Sequence, residues 1–148
     1  MKYLRLVAVL CAVAALAVWA DAVFSSEPKE IEVPVPKPTK PDIRFPSGPL
    51  PKDIVIKVLE EGFGPEAEPG DKMTVHYLAV NRKGVQKWSS WRADAPLTFE
   101  LGNGDYFEAW DECLEGMKVG ERREIFFPAG RSADLEPVVY VIDLLRIK

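Results

Sequence analysis

The amino-acid sequence predicts an α+β domain in which an antiparallel sheet of about five strands covers one short helix. Two observations predict the sheet. Apolar and polar residues alternate along short segments, and turns rich in glycine and proline separate these segments. A third observation predicts the helix, because one segment carries apolar residues at helical spacing instead.

Five segments are predicted to be strands. In chain order they are Ile54–Leu59, Met73–Val80, Leu97–Leu101, Glu121–Phe127 and Val138–Ile147. In the second segment Met73 and Val75 alternate with Thr74 and His76, which indicates one strongly buried face. The last segment is apolar on both faces, so we expect it to lie centrally in the sheet.

One helix of about ten residues is predicted before the last two strands. Asp105 is the expected N-cap, because Glu108 follows it at the spacing of a capping box. The apolar stripe of this helix consists of Phe107, Trp110 and Leu114. Gly116 is expected to end the helix in the left-handed conformation.

Length, charge and cysteine content exclude several classes of protein. The chain has 148 residues, which is enough for one domain with a substantial core but not for two. Its net charge of −4 argues against a nucleic-acid partner, because phosphate binding requires a basic surface. One His and 2 Cys are too few for a structural zinc site or a disulfide framework. We expect Cys113 to be a small buried core residue.

The N-terminus predicts export. Lys2 and Arg5 precede an unbroken apolar run from Leu6 to Ala20, and Ala20-Asp21-Ala22 fits a signal-peptide cleavage site. The alternative is an uncleaved membrane anchor, but this run is shorter than the ~20 residues that span a bilayer. We therefore expect residues 1–22 to be a signal peptide and the mature protein to be periplasmic or secreted.

Residues 23–51 are predicted to be a proline-rich tether. The segment is dense in proline, lysine and glutamate, a composition that favours extended polyproline II over a packed core. A simple spacer is the preferred interpretation. Two alternatives remain open: Val33 to Pro38 could dock into the aromatic groove of a partner, and Ile31 to Val35 could add an edge strand. The folded domain is expected to span residues 52–148.

Several sequence blocks in the folded part resemble the FKBP-type peptidyl-prolyl cis-trans isomerases. The blocks are Gly70-Asp71, Val75-His76-Tyr77, Ser89-Ser90, Pro96 to Gly102, Ala109-Trp110, Gly116 to Arg122 and Val139 to Leu145. Their order and spacing match the family from about residue 55 to residue 147. The resemblance implies an antiparallel half-barrel sheet around the short helix, with an aromatic pocket between the two.

The resemblance also implies the residues of the pocket. Tyr77, Phe107 and Trp110 are the expected catalytic residues, with Trp110 as the floor and the backbone N–H of Phe107 as a donor to the substrate carbonyl. The expected substrate-pocket residues are Phe99, Tyr106, Tyr140 and Trp88. For Phe99 and Tyr140, core packing and pocket lining are equally good interpretations, because aromatic residues on inward faces usually belong to the core.

The chain departs from the family pattern at the rim of this pocket. Lys87-Trp88 stands before the two serines, where active members usually have an aromatic residue followed by an acidic one. The loop from Ala129 to Glu136 is much shorter than the family's long loop and lacks its tyrosine and its apolar tip. Trp88 or Trp91 could rebuild part of the rim.

Two further groups have simpler interpretations. His76 is expected to be a surface or sheet-packing residue that faces away from Tyr77, because adjacent strand residues point to opposite faces. Arg122 and Arg123 are expected to form ordinary surface ion pairs.

The function hypothesis is an exported prolyl isomerase that acts on prolyl segments of unfolded or folding proteins. It needs no cofactor and no metal, and a membrane contact is expected only if the N-terminal segment is uncleaved. The alternative hypothesis is a catalytically weak or inactive binding or chaperone module on a proline-rich stalk, because the acidic rim residue and the long loop are missing.

Overall fold

A computed structural model describes residues 37–148, and these residues belong to one unit of the chain. The predicted signal peptide, residues 23–36 of the predicted tether and the alternative edge strand at residues 31–35 lie outside the described residues. Within residues 37–148, no helix combines the length and the apolar composition needed to cross a bilayer.

Within residues 37–148, six strands form a single sheet. They are β1 (Val55–Glu60), β2 (Lys72–Asn81), β3 (Gln86–Ser89), β4 (Leu97–Glu100), β5 (Arg122–Phe127) and β6 (Val138–Ile147). The strand order is β1-β5-β6-β2-β3, β4 pairs with β2, and every pairing is antiparallel. The predicted fold class is confirmed, with six strands instead of about five.

The strand that the sequence pattern places centrally is β6. It lies between β5 and β2, and its residues from Val138 to Leu144 are all buried. The strand that the pattern misses is β3, because its four residues are mostly polar and do not alternate regularly. The pairing of β2 with β3 also contains a bulge, since Ala79 pairs with Trp88 and Val80 with Gln86.

The single helix among the described residues, α1 (Glu108–Leu114), is shorter than predicted. Phe107 is its N-cap, and no side chain caps the helix, so the predicted capping role of Asp105 is wrong. Asp105 lies two residues before the N-cap and instead accepts a hydrogen bond from Asn103 Nδ2 at 3.1 Å. Gly116 does adopt the left-handed conformation, at φ 70°, just beyond the helix.

The inner face of the sheet packs against α1 and forms the main core. Its buried members from the central strands and α1 include Val75, Ala79, Trp110, Leu114, Phe127 and Ile142. Cys113 is buried in the same cluster, as predicted. Burial raises the pKa of its thiol to about 11, so this cysteine is a protonated core residue at neutral pH.

The outer face of the sheet is covered by residues that precede the expected domain boundary. Ile43, Phe45 and Leu50 pack against a small cluster on the strands that includes Phe126 and Val139. The Phe45 and Phe126 rings meet edge to face, with their centroids 5.9 Å apart. The boundary at residue 51 stays a prediction, but this packing gives residues 43–50 a role in burying the outer face, which explains why β6 is apolar on both sides.

Arg122 and Arg123 are buried, so the prediction of ordinary surface ion pairs is wrong. On the outer face, Arg122 donates to the Asp143 carboxylate at 2.6 and 3.2 Å and to the Thr39 carbonyl at 2.7 Å. Burial alone would lower the pKa of Arg122, but the hydrogen bonds and charges of Asp143 and Glu60 hold it above the usual value. Burial raises the pKa of Asp143, although the hydrogen bond and the charge of Arg122 oppose this shift.

Arg123 faces the opposite side of β5 and holds the end of α1. Its guanidinium donates to the carbonyl of Cys113 at 2.6 Å and to the carboxylate of Glu121 at 2.7 Å. A helix leaves its last carbonyls without partners, and a cation is favoured at that end of the helix dipole. Arg123 thus fixes α1, and with it the pocket residues of α1, against β5.

His76 lies on the outer face and is 2% exposed, so of its two expected roles it has the sheet-packing one. Its Nδ1 lies 2.8 Å from the Ser90 hydroxyl, and its ring stacks on Trp91 with the centroids 4.1 Å apart. Burial lowers the pKa of His76, although the Asp94 carboxylate, 3.5 Å from Nε2, opposes the shift. His76 is thus neutral and structural at pH 7.

Candidate active site

An aromatic cavity of about 150 Å³ opens between the inner face of the sheet and α1. Six of its eight lining residues are aromatic and the other two are aliphatic. The lining consists of Tyr77, Trp88, Leu97, Tyr106, Phe107, Trp110, Ala133 and Tyr140. Such an apolar hollow with few polar groups is the usual form of a small-molecule or side-chain binding site.

Register across the central strands creates the space in the cavity. Ala79 on β2 pairs with Trp88 on one side and with Tyr140 on the other. Because all three side chains lie on the same face, the small alanine leaves a gap between two large rings. The Trp88 and Tyr140 rings are nearly parallel across this gap, at 7° and a centroid distance of 6.1 Å. Tyr77, two residues before Ala79, extends the same face.

Trp110 forms the floor of the cavity. Its side chain is 2% exposed, and four of the other lining aromatics surround it. The centroid distances are 5.2 Å to Tyr140, 5.7 Å to Phe107, 5.8 Å to Tyr106 and 6.3 Å to Tyr77. Most of these contacts are tilted or edge to face, the arrangements that aromatic rings prefer. The position of the floor is therefore fixed from several sides.

Phe99 is the one predicted pocket residue that the structure places outside the lining. It is buried behind Trp110, with a centroid distance of 6.2 Å, and meets Tyr106 edge to face at 5.4 Å. Of its two interpretations, core packing therefore describes it. Tyr140 both belongs to the core and lines the cavity.

Two lining residues, Leu97 and Ala133, were missed by the sequence reasoning. Leu97 begins β4, two residues ahead of Phe99 and on the same face, so it covers the side of the cavity that Phe99 was expected to form. Alternation along β4 could have suggested Leu97. No local pattern marks Ala133, because it reaches the cavity through the path of the loop between β5 and β6.

The polar groups of the cavity include several hydrogen-bond donors. Burial raises the pKa of the Tyr140 and Tyr106 hydroxyls above the usual phenol value, so both stay protonated at neutral pH. The Trp110 indole N–H is buried without a hydrogen-bond partner among the described residues. Within the same residues, the backbone N–H of Phe107 also donates to no acceptor. The cavity can thus donate hydrogen bonds, but its lining contains no acid or base that ionises near neutrality.

Comparison with known proteins gives the family of this fold and cavity. Residues 64–131 match the model of the FKBP-type peptidyl-prolyl cis-trans isomerases. The chain is 38% identical to an FK506-binding protein of Streptomyces anulatus over 120 residues, which is 73% of this chain and 97% of that protein. The chain belongs to the FKBP-type peptidyl-prolyl cis-trans isomerases.

One further relative agrees with this family, and one solved structure shares the fold. A probable FK506-binding protein of Corynebacterium glutamicum is 37% identical, with 72% of this chain and 97% of the relative covered. The crystal structure of FkpA from Escherichia coli shares the fold, with a TM-score of 0.54 and 23% identity over 64% of this chain. The matched part covers 48% of the FkpA chain.

The rim of this FKBP-type cavity is built differently from the family pattern. Lys87 stands where the family pattern has the aromatic residue, and it forms an ion pair of 2.9 Å with Asp134. Asp134 belongs to the short loop whose Ala133 lines the cavity. Trp88 lines the cavity, whereas Trp91 stacks on His76 on the other face of the sheet, so the rim is completed by Trp88.

Proposed function

We propose that this FKBP-type isomerase accelerates rotation about X-Pro bonds by enclosing the proline in its aromatic cavity. The observation that supports the proposal most strongly is the set of six aromatic residues that line a cavity of about 150 Å³. An apolar cavity of this volume in an engineered protein accommodates benzene, so a five-membered pyrrolidine ring also fits.

The reaction needs no nucleophile and no metal. A prolyl amide resists rotation because its C–N bond has partial double-bond character, with a barrier of ~18–20 kcal/mol. That resonance places negative charge on the carbonyl oxygen, and water stabilises it. A dry cavity withdraws this stabilisation from the planar amide and favours the twisted one, in which the resonance is lost.

The proposed donor in the cavity is the backbone N–H of Phe107. It precedes α1, has no acceptor among the described residues and belongs to a residue of the cavity wall. We expect it to hold a substrate carbonyl so that the proline ring is oriented while the amide twists. In this scheme Trp110 is the floor, and Tyr77 and Tyr140 flank the ring.

A protease-coupled assay on an Ala-Leu-Pro-Phe-type peptide tests this mechanism. The wild-type chain should isomerise the peptide faster than buffer, and Trp110→Leu should lower kcat/KM by about tenfold or more. Since Trp110 is also a core residue, Trp88→Ala provides a second variant with a half-buried ring. Phe63→Ala is the matched control, because Phe63 is an exposed aromatic residue outside the cavity. Wild-type turnover equal to buffer, or equal losses in Phe63→Ala and Trp88→Ala, would overturn the mechanism.

We propose export as the setting of this activity, with prolyl segments of folding proteins as substrates. The basic N-terminus, the apolar run and the Ala20-Asp21-Ala22 site support it. Mass spectrometry of the protein from its host should find a mature N-terminus at Val23. An intact Met1 terminus in a membrane fraction would instead support the anchor.

One observation favours a second candidate function, a binding or chaperone module with little catalysis. The acidic rim residue of the family pattern is absent, because Trp88 stands at its position, and the charge of the neighbouring Lys87 is paired with Asp134. This candidate predicts binding of an unfolded client without faster isomerisation. The same coupled assay, run beside a binding titration, separates the two functions.

A further inference from the structure

The bulge in β3 places an unusual residue beside the cavity. Trp88 and Gln86 both have partners on β2, whereas Lys87 between them has none. A bulge redirects a side chain out of the regular alternation and is frequent next to active sites. As a result, the Lys87 ammonium lies 5.4 Å from the centre of the Trp88 ring, within the range of a cation–π interaction, although the two residues are adjacent in sequence.

The same ammonium reaches across to the loop between β5 and β6. It lies 2.9 Å from Asp134 Oδ2, and both side chains are about 30% exposed, at 32% and 27%. One cation therefore contacts a cavity wall, Trp88, and the loop that supplies another lining residue, Ala133. This geometry makes Lys87 the connection between two sides of the rim.

The loop is internally stiff, so holding Asp134 also holds Ala133. The Gly130 N–H donates to the Leu135 carbonyl at 2.8 Å, and the Ser132 hydroxyl donates to the Glu136 carbonyl at 2.5 Å. The other ion pair of the loop, Arg131 to Glu112 at 3.2 Å, is about half exposed on both sides, where water and salt weaken it.

Both members of the Lys87–Asp134 pair stay charged over the neutral range. The hydrogen bond to Asp134 raises the pKa of Lys87. Burial alone would raise the pKa of Asp134, but the hydrogen bond and charge of Lys87, with hydrogen bonds from Glu136 and Ser132, lower it. The attraction between the two side chains is thus present wherever the enzyme is assayed near neutral pH.

We propose that Lys87 and Asp134 are positioning residues for substrate binding, and that their ion pair holds residues 129–136 against β3 so that Ala133 and Trp88 together form the lip of the cavity. This proposal rests on the proposed function of the cavity. Loss of the pair is expected to change KM more than kcat, because neither side chain lines the cavity in which the amide twists.

Kinetics on the full chain with an uncharged proline peptide provide the first test. Lys87→Met and Asp134→Asn should each raise KM by about two- to fivefold with kcat nearly unchanged. The double variant should be no worse than either single variant, and the exchanged pair, Lys87→Asp with Asp134→Lys, should recover part of the loss. Added NaCl should raise the KM of the wild type and leave that of Lys87→Met unchanged.

Lys37→Met is the matched control for these variants. Lys37 also forms a 2.9 Å ion pair with an aspartate, Asp94, but on the outer face of the sheet away from the cavity. Its KM should equal that of the wild type. A KM in Lys87→Met that equals the control, or additive losses in the double variant, would overturn the proposal.

Backbone NMR relaxation of residues 129–136 gives a second readout that needs no turnover. The amplitude of loop motion should rise in Lys87→Met and Asp134→Asn and stay unchanged in Lys37→Met. If the wild type does not isomerise the peptide but the loop loosens as expected, the proposed function fails while the ion pair still orders the lip. If the wild type isomerises the peptide and the loop stays equally rigid in both variants, the positioning role is contradicted.

Discussion

At the scale of single residues, His76 gives the fold a dependence on pH. Burial lowers its pKa from 6.5 against the opposing charges of Asp94 and Asp143, while Lys37 adds to the lowering. Well above pH 6.5, the ordinary pKa of the imidazole, His76 is neutral in both the folded and the unfolded forms. As the pH falls below that value, the unfolded chain binds a proton that the folded chain resists, so folding stability decreases.

Urea unfolding at a series of pH values checks this prediction. The wild type should lose stability between about pH 6.5 and pH 5.5, and His76→Gln should lose much less over the same interval. The comparison concerns the slope with pH, because His76→Gln also removes the stack on Trp91 and lowers stability at every pH. Parallel slopes in the two proteins would show that His76 is not the group responsible.

Leu135 is a second residue with a local consequence. It adopts φ 62°, a conformation that costs a residue with a side chain ~1–2 kcal/mol, and it is 67% exposed. Leu135→Gly should therefore raise the free energy of unfolding by about 0.5–1 kcal/mol after the larger entropy loss of glycine. Leu135→Ala keeps the backbone penalty and should change little. A lower stability of the glycine variant than of the alanine variant would contradict this account.

Much of the candidate site follows from residues visible in the sequence. Tyr77 lies on a strand whose alternation is clear, Tyr140 lies on the strand that is apolar on both faces, and Trp110 lies on the apolar stripe of the helix. Sequence patterns do not predict which of two residues on the same face lines the cavity, because this depends on how the strand packs against the helix. Leu97 and Phe99 share a face, and only the position of Trp110 determines which of the two reaches the cavity.

At the scale of elements, the pair of Arg122 and Asp143 joins β5 to β6 on the outer face. Arg122→Met alone should lower the free energy of unfolding by about 3–5 kcal/mol, because it leaves the Asp143 carboxylate buried without its cation. The double replacement Arg122→Met with Asp143→Leu should be less destabilising than the single one. Equilibrium urea unfolding measures both.

Two outcomes would contradict the role of this pair. One is a decrease of less than about 1 kcal/mol in the free energy of unfolding of Arg122→Met, because a decrease that small is typical of an exposed surface ion pair. The other is a double variant less stable than Arg122→Met. Lys118→Met is a suitable control, because its ion pair with Glu66 is largely exposed.

The elements differ in how far the sequence predicts them. The long strands β2 and β6 have strong patterns because each buries both faces in the centre of the sheet. The N-terminus of α1 was placed too early because the spacing of Asp105 and Glu108 fits a capping box, yet the chain between Gly102 and Tyr106 forms turns instead. The bulged strand β3 has too few apolar residues to show a period.

At the scale of the whole molecule, residues 43–50 contribute to the stability of the folded unit. Phe45 is half-buried against Phe126, within the small outer cluster that includes Val139. Replacing a fully buried Phe by Ala lowers the free energy of unfolding by about 3–5 kcal/mol. Because Phe45 is only half-buried, Phe45→Ala should lower it by about 1–2 kcal/mol. Isomerase activity below the melting temperature should be unchanged, because the cavity lies on the opposite face of the sheet.

Arg44→Ala is the matched control for Phe45→Ala, since Arg44 is the exposed neighbour in the same segment. Thermal unfolding of the two variants distinguishes the interpretations. If both melt like the wild type, the segment is a spacer as its composition suggests. Composition alone could not reveal this packing. The segment has only a few apolar residues among many prolines, and these residues bury their side chains only against the outer face of the folded sheet.

The central claim, that the aromatic cavity twists the prolyl amide, is tested most directly by NMR exchange spectroscopy on the full chain with a proline peptide. Unfolded peptides hold about 10–30% of their X-Pro bonds in cis, so both isomers are visible. We predict that the protein accelerates their exchange and that the largest chemical-shift changes in the protein occur at the cavity, including the Trp110 indole N–H, which has no hydrogen-bond partner within residues 37–148. Exchange no faster than in buffer, or shift changes centred on the outer face around Arg122, would contradict the claim.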